Sequence, residues 1–92
     1  MYGTVAQLKV KPGALEELIK SARRPRPGFI HTYVYQMDKD PNELLWVVVF
    51  KDKESYLANA NSAEQDREYQ ALRKLLTADP NWHDGEIVFD FK

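Results

Sequence analysis

The chain predicts an α+β fold of the ferredoxin-like kind, a four-stranded antiparallel sheet with helices on one face, paired sheet to sheet as a homodimer. Three observations predict it. Segments with strand and helix patterning follow the order β-α-β-β-α-β, which is the order of a split βαβ sandwich. The helical segments carry their apolar residues along one side. The run Leu44–Phe50, "LLWVVVF", is seven apolar residues long, whereas a strand with one wet face alternates. Such a strand needs cover on both sides, and the helices of one chain suffice for one side. A second copy, packed sheet to sheet, is the expected cover for the other.

Met1–Val10 reads as the first strand, with Tyr2, Thr4, Ala6, Leu8 and Val10 on one face and Gly3, Val5, Gln7 and Lys9 on the other. "KPG" ends it. Pro12 suits a first helical position, and Glu16 and Glu17 complement the positive end of the helix dipole. Leu15, Leu18, Ile19 and Ala22 follow the spacing of a buried stripe. "PRPG" stops this helix. Phe29–Met37, rich in β-branched and aromatic residues, is the second strand. "DKDPNE" is a turn, and Leu44–Lys51 is the third strand. Asp52 caps a short helix carrying Tyr56, Leu57 and Ala60. Ser62 and Gln65, at capping-box spacing, open a longer helix that presents Tyr69, Leu72 and Leu76. "ADPN" ends it, and "GEIVFDF" reads as the last strand, with Ile87, Phe89 and Phe91 aligned.

At 92 residues the chain is expected to form a single domain, residues 1–92. So short a chain buries only roughly 60–65% of its unfolded surface, which favours oligomerisation. Hydrophobic residues at 43% and charged residues at 29% place it among globular proteins. A net charge of −1 provides no global field for nucleic acid or an acidic membrane. The lack of cysteine excludes a disulfide framework, a thiolate nucleophile and a thiolate metal site. "MYGTVAQLKV" lacks the basic and apolar regions of a signal peptide, so a cytoplasmic protein is expected.

"VKPG" after the first strand, "PGF" before the second, and "VVFKDKESYLANANS" across the third strand and short helix resemble the antibiotic biosynthesis monooxygenase (ABM) family. The tail "DPNWHDGEIV" is similar to that of a narrower bacterial subgroup. The resemblance covers nearly the whole chain and implies the dimeric α+β barrel. It also implies a small-molecule pocket in each subunit, between sheet and helices. It further implies cofactor-independent oxidation or oxygenation of polyphenolic or quinol substrates, with haem degradation as a rarer activity of the same family. Phe50 stands where the family commonly has Trp, and Asn59 where it often has His. The family's haem degraders use a His on the helix matching Ser62–Leu76, and this stretch has none.

The residues suggest one aromatic constellation. Phe29, His31, Tyr33, Tyr35 and Met37 share a face of the second strand by alternation. With Met37 opposite Leu44, Tyr35 lies opposite Trp46 and His31 opposite Phe50. Stacked rings with polar tips suit a flat aromatic ligand. A cofactor-independent oxygenase needs a base to make its substrate electron-rich, and a dry pocket. His31 is the candidate base; Tyr33, Trp46 and Asn59 are candidates to stabilise the oxyanion. Tyr35 and Phe50 would form substrate walls, and Tyr69 and Arg73, one helical turn apart, would face a ligand carboxylate or phenolate. The same rings can instead form the core or the dimer seam, with a non-catalytic small-molecule-binding protein as the result. In "NWHDGE", His83, Asp84 and Glu86 fall short of a metal site because neighbours in a strand point to opposite faces. A capping loop with Trp82 over the barrel end is the expected arrangement, and "RRPRPG" is expected to be a solvated connection.

Overall fold

In the computed structural model, which describes residues 1–92, β1 (Tyr2–Lys9) alternates in the expected sense. Thr4, Ala6 and Leu8 are buried beneath the helices, and Val5, Gln7 and Lys9 face away. β2 (Phe29–Gln36), β3 (Glu43–Phe50) and β4 (Asn81–Glu86) complete one sheet in the order β2-β3-β1-β4. Every neighbouring pair is antiparallel. The helices α1 (Leu15–Ala22), α2 (Lys53–Ala60) and α3 (Ala63–Arg73) make this an α+β, ferredoxin-like fold. No helix is long and apolar enough to cross a membrane.

The core is the helix face of the two central strands. Leu8, Leu44 and Phe50 are at most 1% exposed and meet Leu18 of α1 and Leu72 of α3 in one cluster. Each side chain of this size contributes about 1.5–3 kcal/mol when fully buried. Leu76, just past α3, bridges Val10, and flanking hydrogen bonds from Lys11 N to Leu75 O and Thr77 N to Lys9 O, both 2.8 Å, tie the end of the helix to β1. On the other face, Leu45, Val47 and Val49 are half-buried by their neighbours in the sheet, while Val5, Tyr33 and Tyr35 are exposed.

The register of β2 differs by one residue from the sequence expectation. Gln36, not Met37, stands opposite Leu44; Tyr35 faces Leu45, Tyr33 faces Val47 and His31 faces Val49. The turn sets this. Met37 N bonds Glu43 O at 3.0 Å, Glu43 N bonds Asp40 O at 2.9 Å, and Asp40 Oδ1 accepts from Asn42 N at 3.0 Å. The Asx turn starts β3 one residue early, and a one-residue slip moves every side chain of β2 to the other face. A bulge at Ile30 then returns Phe29 to the helix side, opposite Phe50. Phe29 therefore does not share a face with His31, Tyr33 and Tyr35.

Three further boundaries differ. Gly13, at φ +83°, separates Pro12 from α1, so the proline lies in the turn before the helix. α3 ends at Arg73, before Leu76. The fourth strand is "NWHDGE" itself, neither a capping loop nor "GEIVFDF", because β1 offers partners only from Gln7 opposite Asn81 to Tyr2 opposite Glu86. Beyond Glu86, Ile87 N still bonds Met1 O at 2.9 Å, but Phe89 and Phe91 are outside the sheet and exposed.

β1 passes so close to β3 at Gly3 that a Cβ there would collide with the Val48 carbonyl. Backbone cannot swing aside as a flexible side chain would. Gly3→Ala is expected to cost roughly 2 kcal/mol or more, read as a lower urea midpoint with unchanged slope.

Candidate active site

A cavity of about 360 Å³ lies between the helix face of the sheet and α2 and α3. The sequence builds its walls from alternate strand residues. Thr4 comes from β1, Trp46, Val48 and Phe50 from β3, and Trp82 and Asp84 from β4. Tyr56, Asn59 and Ala60 of α2 and Gln65, Asp66 and Tyr69 of α3 form the opposite side. Both helices begin where the sequence places them. Asp52 accepts from Ser55 N at 2.7 Å, and Ser62 Oγ accepts from Gln65 N at 3.1 Å. The Ser55 hydrogen bond holds the exposed Asp52 carboxyl below its ordinary range.

Five aromatic side chains, Trp46, Phe50, Tyr56, Tyr69 and Trp82, share the walls with a similar number of polar ones. Tyr56 packs against Tyr2 and Phe50, ring centroids 5.3 and 5.6 Å away, and donates to Asp84 Oδ1 at 2.8 Å. Burial pushes its phenol well above the ordinary tyrosine range, and the adjoining Asp84 carboxylate adds to the rise. The Thr4 hydroxyl acts weakly the other way, yet lacks the geometry of a hydrogen bond: Thr4 is 4% exposed and its Oγ1 has no partner. Thr4 and Asp84 are register partners on one face of the β1–β4 pair.

The structure sorts the sequence candidates into two groups. Trp46, Phe50, Asn59 and Tyr69 meet around the cavity. His31, Tyr33 and Tyr35 lie on the opposite face of the sheet, their rings in succession at 5.3 and 5.4 Å. The patch expected to join the two groups is therefore divided by the sheet. Trp46 donates its indole N–H to Thr32 Oγ1 at 2.7 Å, and Thr32 in turn donates to Val47 O, so that N–H is engaged within the protein. Asn59 donates to Gln65 Oε1 at 3.1 Å, which leaves its second N–H. Arg73 is not at the cavity; it bonds Asp79 Oδ1 at 2.8 Å and Leu76 O at 3.1 Å, securing the end of α3.

Sequence reasoning missed Thr4, Arg26 and Asp84 as site residues, and took Tyr56 only as an apolar-face residue. Arg26, expected in a solvated loop, has a side chain 9% exposed and pairs with Glu68 Oε2 at 2.9 Å. Arg24 takes the other carboxylate oxygen at 3.1 Å, so the α1–β2 connection is pinned to α3. The available signal was the strand order: with β4 beside β1, a polar residue in "NWHDGE" must meet a residue on the inner face of β1.

The sequence profile of the antibiotic biosynthesis monooxygenase family matches residues 1–74. No curated protein matches the chain. Solved structures share the fold. A conserved protein from Methanosarcina mazei Go1 is 21% identical, with TM-score 0.76 over 91% of this chain and 89% of that one. A provisionally named antibiotic biosynthesis monooxygenase from Chloroflexus aurantiacus J-10-fl is 24% identical, with TM-score 0.78 over 99% and 96%. A point mutant of SnoaB, a cofactor-independent oxygenase from Streptomyces nogalater, is 18% identical, with TM-score 0.79 over 97% and 94%.

The raised Tyr56 value carries a sign. A phenol favoured in its protonated form stabilises the fold fully below the ordinary tyrosine pKa of 10.0. That contribution is lost as pH rises through the higher folded value. Ultraviolet titration should show one of the five tyrosines ionising last, and Tyr56→Phe should abolish that late step. With its match to this profile and its four-stranded fold, the chain belongs to the antibiotic biosynthesis monooxygenase family.

Proposed function

We propose that the protein is a cofactor-independent oxidase or oxygenase of a small aromatic or quinol-type metabolite, acting in the cytoplasm as a homodimer. The observation that carries this reading is the cavity: Trp46, Phe50, Tyr56, Tyr69 and Trp82 set among polar side chains, inside a monooxygenase-family fold. A quinol held flat between such rings that passes a proton to a carboxylate of the lining, Asp66 or Asp84, becomes an electron-rich anion able to give two electrons to dioxygen, leaving the quinone and hydrogen peroxide. Asn59, with one N–H uncommitted, is the proposed donor to the developing oxyanion. Trp46, Phe50 and Tyr69 are the proposed walls. His31, Tyr33 and Tyr35 are assigned to the subunit seam, where a second copy covers Val5, Leu45, Val47 and Val49.

A second reading, a dimeric binding protein without turnover, draws support from one feature. Both imidazoles stand opposite open-face residues, His31 opposite Val49 and His83 opposite Val5, so neither His faces the cavity. An enzyme using imidazole as its base would want one inside.

Incubation of metal-free protein with a panel of quinols under air separates the two. Oxygen uptake above the buffer rate is expected, falling ~100-fold in Asn59→Ala if the donor role holds. Binding without uptake selects the second reading. Loss of turnover in His31→Ala at unchanged oligomeric state would move the chemistry to the open face. Sedimentation at micromolar concentration is expected to give twice the 10.7 kDa chain mass, and Val47→Glu to return it to one chain.

A further inference from the structure

We propose that Thr4 and Asp84 form a hydroxyl-binding subsite of the cavity, which selects one- or two-ring ligands bearing a phenolic O–H at one edge. The inference rests on the cavity holding a flat aromatic ligand, as proposed above, and adds which group of that ligand is read and by which atoms.

The first observation is an orphan. Thr4 is the one polar residue in the buried set, and its Oγ1 has no hydrogen-bond partner. Leaving a buried hydroxyl unpaired costs about 1–3 kcal/mol. Valine has nearly the same shape and would remove that cost, so the hydroxyl has a use that the protein alone does not satisfy. Thr4 is among the residues that line the cavity.

The second observation is the neighbour. Asp84 stands opposite Thr4 in the β1–β4 register, so their side chains leave the sheet on the same face. Tyr56 occupies Asp84 Oδ1 and, held protonated by burial, remains a donor. Its hydrogen bond orients the carboxylate, and Oδ2 remains to accept. A hydroxyl group needs one donor to its oxygen and one acceptor for its proton. Thr4 supplies the first and Asp84 the second. A methyl ether keeps the oxygen but has no proton for Asp84, so it forgoes that charge-assisted hydrogen bond and binds less tightly.

The third observation is size. Ligand pockets run from about 300 to 1,000 Å³, and this one, at about 360 Å³, is near the lower bound. A ligand of one or two fused rings suits that volume.

The probes are 1-naphthol and 1-methoxynaphthalene, with binding to the full chain measured by calorimetry. The wild-type protein is expected to prefer the naphthol by about tenfold or more. Thr4→Val should erase most of that preference while leaving the melting temperature equal or higher, which a merely structural threonine would not do. Asp84→Asn, at an exposed edge-strand position, should also reduce the preference and provides the decisive variant if Thr4→Val does not fold. Equal binding of both probes by wild type, an undiminished preference in these variants, or no binding of 1-naphthol would each overturn the subsite. Oxygen uptake is a separate readout: selective naphthol binding with no turnover leaves the subsite standing and removes the oxygenase.

Discussion

The sidedness of β3 is the constraint on which the rest depends. Leu44, Trp46, Val48 and Phe50 point to the helices, and Leu45, Val47 and Val49 point away, all on one eight-residue strand. β3 lies between β2 and β1, so its register decides which side chains of both neighbours reach the interior. Burial of the first set holds α1 and α3 against the sheet. Trp46, Val48 and Phe50 of that set also form the floor of the cavity. A slip of one residue would exchange Trp46 and Phe50 for Leu45 and Val49, removing both core and cavity floor together. Stability and site therefore share the same atoms.

Above that floor, the cavity is organised by a few polar links rather than by a charged centre. Trp46 is anchored through Thr32, Asn59 through Gln65, and Tyr56 through Asp84. Each link crosses from one element to another or joins the two helices, so each fixes a ring or amide in one orientation. Arg26 and Glu68 do the same at the rim, where a largely buried ion pair holds the proline-rich connection down on α3. Removing one partner of such a pair is costlier than never having built it, because the survivor is left desolvated. The walls of the cavity are thus held in place by the fold itself.

Much of this was legible in the sequence, for identifiable reasons. The alternation in β1, the two helix caps at Asp52 and Ser62, and the doubly apolar β3 are local signals, and local physics decides them. The face of β2 was not legible, because it turns on the hydrogen bond between Asp40 and Asn42, which periodicity does not encode. The last strand was misassigned because "GEIVFDF" alternates and "NWHDGE" does not. An edge strand is defined by having a neighbour to pair with, and β1 stops at Tyr2. For the cavity, Trp46, Phe50, Asn59 and Tyr69 were within reach of pattern reasoning. Thr4 and Asp84 are 80 positions apart in the chain, and only the sheet order brings them together.

That sheet order has a bearing on the rigidity of the chamber. β4 has β1 alone as a neighbour, and all six of its residues are exposed. Trp82 and Asp84 ride on it, so three sides of the chamber are built from packed elements and the fourth hangs from a single ladder of backbone hydrogen bonds. Segments with so little buried surface open at far lower free energy than the core does. Of the cavity's walls, this outermost strand is therefore the one that parts from the rest at least cost, and the chamber is least rigid along that side.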